Sequence, residues 1–273
     1  MKNLSFLFIA LFLALSAYGA RPKDTNVTAS DTTLLTFDSL SVTRSGGIDS
    51  VTITIWAAKG PDINNPAAYS IMEHLNETLG GTYAGNPVTD AEAMLNYYAD
   101  SIHQMLLHHP NLPFIRKDVL QLYRGLRMEK LAETTAYVTM SLLSESYDGG
   151  AHGMMTSNGF TVRKSDGRIL GCEIIRPFKD EQQKNEWNNI IRRQLQKELN
   201  VATDEELTQM LLIEDTLVPM PQSRIYLTPE GLHLVWQPYE IAPYAAGILH
   251  VTIPKDIAMP YLNITGQRLL NSL

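Results

Sequence analysis

An α+β fold is predicted for this chain: antiparallel sheets with helices packed on one face, in two intimately packed subdomains. Three observations predict it. Segments of period-two hydrophobicity stand early (34–57) and late (224–253) in the sequence. Two helical segments follow each other directly between them, near residues 66–79 and 89–108. Nowhere does strand–helix–strand alternation recur as a parallel sheet would require.

Taken in order, Met1–Gly19 read as a cleavable export signal. Lys2 supplies a positive start, Leu4–Leu15 an apolar run of signal length, and Ala17 and Gly19 the small residues before a cut at Ala20. Residues 20–32 are polar and read as a flexible leader. An N-terminal α+β subdomain is expected over 33–115 and a C-terminal domain over 116–273, with the seam between Pro110 and Leu120.

Leu34–Thr43 and Ser50–Ala57 are the first strands, joined at Ser45-Gly46-Gly47. Val51, Ile53 and Ile55 face a core, and Thr52, Thr54 and Trp56 face the other side. Pro66 opens a helix that Gly80-Gly81 closes. Thr89 with Glu92 reads as a capping box for a second helix, ended by Pro110 and Pro113. Residues 119–163 are β-like, with a turn at Asp166-Gly167 before a strand over Arg168–Ile175. A charged helix spans Lys179–Asn200, and a short one, capped by Thr203, spans Asp204–Leu212. Strands at Arg224–Tyr226, Leu232–Gln237 and Gly247–Ile253 precede a short helix over Pro254–Leu262.

The net charge of −7 becomes −8 once Lys2 leaves with the signal. Such a balance argues against nucleic acid and favours a basic partner. No later segment has the roughly 20 apolar residues of a membrane span. The chain's single cysteine, Cys172, excludes an intramolecular disulfide. It is expected to be a buried small hydrophobe.

Two segments carry chemistry. Pro238–Gly247 (Pro-Tyr-Glu-Ile-Ala-Pro-Tyr-Ala-Ala-Gly) is too long for a plain hairpin turn and dense in stiff Tyr and Pro. It is either a binding loop or a piece of internal packing. Tyr147–Gly153 holds three glycines in five positions but lacks a P-loop ending; the bland account is a corner between strands with a structural His152. Asp148 and His152 lack a third metal ligand, and His103, His108 and His109 read as an exposed helix end. Three glycosylation sequons begin at Asn26, Asn76 and Asn263. No metal or cofactor is expected.

These two segments, with Gly167–Leu170 and Gly231–Gly247 in the same order, make the chain resemble the PdaC/RsiV-like superfamily of bacterial extracytoplasmic domains. The similarity runs over about 132–254 and includes its C-terminal domain of unknown function, of DUF3298 type. The resemblance implies a two-part α+β fold outside the membrane. Relatives serve as lysozyme-recognising ectodomains of anti-sigma factors or as domains appended to peptidoglycan deacetylases. By residue it points to Tyr239, Glu240, Pro243 and Tyr244 as a recognition loop, with Tyr147 and His152 supporting it. Only Met1–Asn3 precede the apolar run, and no residues remain for a metal-binding catalytic domain. The expectation is therefore an exported, periplasmic or secreted, non-catalytic binding module of the cell envelope, with a lysozyme-like muramidase or peptidoglycan fragments as partner. The alternatives are a cell-wall hydrolase using Glu240 and His152, or a structural envelope protein.

Overall fold

The computed structural model describes residues 34–47, 49–112, 121–213 and 216–272. The signal and leader expected over 1–32 lie outside these residues, as does most of the stretch around the 115/116 boundary.

Clean alternation in the first strands builds a six-stranded sheet. Its members are β1 (Phe37–Ser45), β2 (Asp49–Ala58), β3 (Leu122–Glu133), β4 (Tyr137–Tyr147), β5 (Met154–Arg163) and β6 (Ile169–Leu170), in that spatial order. Val51, Ile53 and Ile55 are at most 1% exposed, while Thr52 and Thr54 bond across to Thr43 and Ser41 on the opposite face. All neighbours are antiparallel except β2 and β3, which pair in parallel. The connection explains this departure: two helices lie between them, α1 (Pro66–Thr78) and α2 (Ala91–Leu107), and a helical crossover returns the chain in the same direction. Both helices cover one face of the sheet, α2 over β1 and β2, with Ile71, Leu75, Met94, Leu95 and Tyr98 buried against Val138, Met140 and Phe160.

A second, three-stranded antiparallel sheet contains β7 (Tyr226–Thr228), β8 (Gly231–Trp236) and β9 (Leu249–Pro254). Helix α3 (Glu181–Glu198) lies on β9, and α4 (Asp204–Met210) packs beside α3. Trp187, Ile191 and Leu195 meet Leu232, Leu234, Trp236 and Val251 in a second core. The chain closes with α5 (Lys255–Ala258) and α6 (Ile264–Leu270). Sequence patterning did not mark α6, a two-turn helix capped by Asn263, whose side chain accepts from Thr265 and Gly266.

Strand β4 serves both cores. Val138, Met140 and Leu142 point to the first, and Tyr137 belongs to the second. Between them the Thr139 hydroxyl donates to the Leu227 carbonyl at 2.6 Å, and the Thr161 hydroxyl accepts from the Leu227 N–H at 2.8 Å. Two side chains of the large sheet thus take the place of a ladder neighbour for β7. Buried charge knits the other end: Glu133 accepts from Lys164 at 2.6 Å, from Lys130 at 2.8 Å and from the Leu35 N–H at 2.6 Å.

Three local expectations are corrected. Asp90, not Thr89, precedes the first turn of α2, and no side-chain cap forms there. Asn86 instead gathers the Val88 and Thr89 N–H groups in a turn. The strand expected over Arg168–Ile175 is only two residues long, because the chain turns into a 3-10 segment at Cys172–Ile174. Cys172 is exposed on that turn rather than buried. Its thiol is held above its ordinary value, chiefly by partial burial and then by Glu173, so thiolate chemistry is disfavoured.

Candidate functional site

The segment between β8 and β9 folds back on itself within a few residues. Tyr239 donates its N–H to the Ala242 carbonyl at 3.1 Å, and Glu240 donates to that of Gln237 at 3.0 Å. This turn places Tyr239 at φ +70, a region that L-residues enter at a cost. Ile241 and Ala242 plug into the second core, at 0% and 3% exposure. Tyr239 and Pro243, on either side of them, face solvent.

Glu240 is a frame residue. One carboxylate oxygen accepts from the Gln222 N–H at 2.6 Å and the other from the Gln237 N–H at 2.8 Å. Gln237, which the sequence did not single out, bonds both backbone groups of Ser157 on the free edge of β5. Its signal was hidden in a strand end, where one amide looks like any other. These bonds fix the loop's base.

The glycine-rich corner supplies the other half. Gly149 and Gly150 adopt φ +86 and +113. The turn they make lets the Tyr147 hydroxyl donate to the Gly150 carbonyl at 2.9 Å. Tyr147 is buried (7% exposed) and stacks on Tyr123. Asp148 pairs with Arg124 and lies 3.9 Å from His109. The Gly153 carbonyl accepts from two sides: the Tyr244 hydroxyl at 2.6 Å and the His152 Nδ1–H at 2.8 Å. A carbonyl can only accept, so this contact fixes the neutral imidazole as its Nδ1–H tautomer.

Around that carbonyl an aromatic stack assembles. The rings of His152 and Tyr244 lie 3.9 Å apart at 23°, and Tyr239 joins Tyr244 at 5.6 Å. Tyr239 is 55% exposed and His152 is also on the surface. Tyr244, His152, Tyr239 and Pro243 therefore form a displayed face, and Glu240 and Tyr147 hold it in place.

The α2 histidines divide differently from the expectation of an exposed helix end. His103 is mostly buried, with Nε2 2.6 Å from the fully buried Asp49 carboxylate. That carboxylate arrives from the start of β2, a partnership invisible in local sequence. His108 is exposed with Nδ1–H on the Gln104 carbonyl. Among the described residues no three His, Cys, Asp or Glu side chains come together as a metal site.

A second cluster lies on the small sheet. Tyr226, His233 and His250 stack nearly parallel, with His233 and His250 nitrogens 3.0 Å apart. Thr228 bonds both Glu230 and the His233 Nε2. Burial and the neighbouring His250 push His233 down to about 4, so it is neutral near pH 7. Period-two spacing puts these residues on one strand face, but pairing across three strands is what joins them.

Residues 178–256 match the family model described as "Protein of unknown function (DUF3298)", so the chain carries a DUF3298-type domain. The match includes the Tyr239–Tyr244 loop but not Tyr147 or His152. Two solved structures are similar in fold. One, a DUF3298-family protein from Bacteroides fragilis, has a TM-score of 0.65 at 17% identity, covering 89% of this chain and 98% of its own. The other, a DUF3298-family protein from Pseudomonas aeruginosa, has a TM-score of 0.59 at 16% identity, covering 85% and 96%. No curated protein matches the chain. None of the described helices is long and apolar enough to cross a membrane.

Proposed function

We propose that this protein is an exported, non-catalytic binding module of the bacterial envelope whose Tyr239–Tyr244 face recognises a basic, lysozyme-like muramidase. One observation carries the reading: an exposed tyrosine held at positive φ and tilted against Tyr244, which stacks on His152 and is tied down by the Gly153 carbonyl. Stiff aromatic side chains lose little freedom on binding, and a pre-set loop avoids the cost of ordering at the interface. The net charge of −7 supports a basic partner through long-range steering. The resemblance to lysozyme-recognising ectodomains points the same way. A hydrolase reading is weaker, because both Glu240 oxygens are engaged by backbone N–H groups and the His152 ring rests on Tyr244.

Size-exclusion chromatography with a lysozyme, at low and moderate salt, tests this. Co-elution is expected for the native protein and not for the Tyr239→Ala/Tyr244→Ala variant. Failure to co-elute at either salt, with retention of a muropeptide instead, would move the assignment to peptidoglycan fragments.

A further inference from the structure

A cavity of about 260 Å³ lies where four segments converge. Helix α1 contributes His74 and Thr78, β4 contributes Leu142, β5 contributes Asn158 and Phe160, and the approach to β7 contributes Ser223 and Arg224. Leu142 and Phe160 are nearly buried and form an apolar floor. The other lining groups are polar: the Thr78 and Ser223 hydroxyls donate to the His74 and Val235 carbonyls, so the donors left for a ligand are the nitrogens of His74, Asn158 and Arg224.

Arg224 has no ion-pair partner among the described residues. In contrast, Arg44, Arg124, Arg163 and Arg192 each meet a carboxylate. His74 sets its ring edge-on against Phe160, 4.5 Å between centroids, and neither ring nitrogen is hydrogen-bonded among the described residues. Burial and then the Arg224 charge lower its pKa, while Glu77 opposes them. The Asn158 carbonyl oxygen accepts from Gln237, which leaves its N–H donors for another acceptor. Arg224 Nη1 lies toward Glu173 beside Gly171 without forming an ion pair, and Glu173 itself meets Arg168, so the guanidinium, the imidazole and the free amide donor together offer room for an anion.

We infer that this cavity is a binding site for a small carboxylate carrying a short apolar group. The carboxylate lies on the Arg224 fork, within reach of His74 and Asn158, and the apolar group lies on Phe160 and Leu142. A planar guanidinium matches a carboxylate in bidentate geometry. The volume of about 260 Å³ suits a ligand about the size of a single acylated amino acid. Anion binding favours the charged imidazole, so affinity rises as pH falls through the His74 titration, and His74 titrates higher in the complex. The site does not depend on what the aromatic face recognises.

NMR titration of the whole protein with N-acetylalanine, using N-acetylalaninamide as the uncharged control, tests the assignment. Expected are saturable shifts at the cavity residues, no saturation with the amide, and an upward move of the His74 pKa in the complex. Arg224 is exposed, so Arg224→Gln keeps the fold, checked by an unchanged melting temperature. It weakens binding by about tenfold or more, as loss of a charge-assisted pair does, and Arg224→Lys falls between the two. Equal binding of acid and amide, undiminished binding in Arg224→Gln, or no saturation at tens of millimolar acid would each overturn it.

Discussion

At Tyr239 the backbone and the side chain serve different ends. Its φ of +70 costs about 1 kcal/mol for a residue with a Cβ. Glycine would remove that strain but add about 0.5–1 kcal/mol of chain entropy. Tyr239→Gly should therefore melt within a few degrees of the native protein while losing partner binding. A clear drop in melting temperature would mean the ring is a packing element. His233 gives a prediction in pH. Its folded value of about 4 lies below the ordinary 6.5, so the unfolded chain takes up the proton first. The stabilisation is complete above about pH 6.5 and is lost as pH falls towards 4, to the extent of roughly 3 kcal/mol. Denaturation followed from pH 7 to 4 should show this slope, and His233→Gln should reduce it, while His250 and His74, both lowered by burial, keep a remainder.

Among the elements, the two capping sequences make a controlled comparison. Thr203-Asp204-Glu205-Glu206 forms a complete box: the Thr203 hydroxyl accepts from the Glu206 N–H, and the Glu206 carboxylate accepts from the Thr203 N–H. Thr89 with Glu92 has the same spacing but does not cap α2, because Asn86 has already drawn the Thr89 N–H into a preceding turn. Thr203→Ala should cost about 1 kcal/mol and Thr89→Ala less than about 0.5 kcal/mol in urea denaturation. Similar costs for both would contradict this assignment of the caps. Period and punctuation located α1, α2 and α3 within two or three residues, because each hides one face and ends at a recognisable residue. The two-turn α6 has too few positions for a period to show.

For the molecule as a whole, Thr139 and Thr161 join the large sheet to β7, and a buried charge network ties together the end of the large sheet itself. Glu133 is 3% exposed and holds Lys164, itself 8% exposed, together with Lys130 and the backbone of Leu35. Glu133→Gln removes the charge that the Lys130 and Lys164 ammonium groups share and should cost about 1–3 kcal/mol. A loss below about 1 kcal/mol would show that the network is wetter than its burial implies.

Alternation and helical spacing were enough to specify the α+β class, the burial of Val51, Ile53 and Ile55, and the separate character of the Tyr-Pro loop, since each is a local property of a few consecutive residues. Three-dimensional pairing settled the rest. It put β2 parallel to β3, turned His103 inward onto Asp49, and brought His152 under Tyr244, 92 positions away in the sequence. It also made Glu240 a brace and left Arg224 facing a cavity. Those outcomes depend on which groups meet after the chain has closed, and contact between distant residues leaves no periodic trace in the sequence.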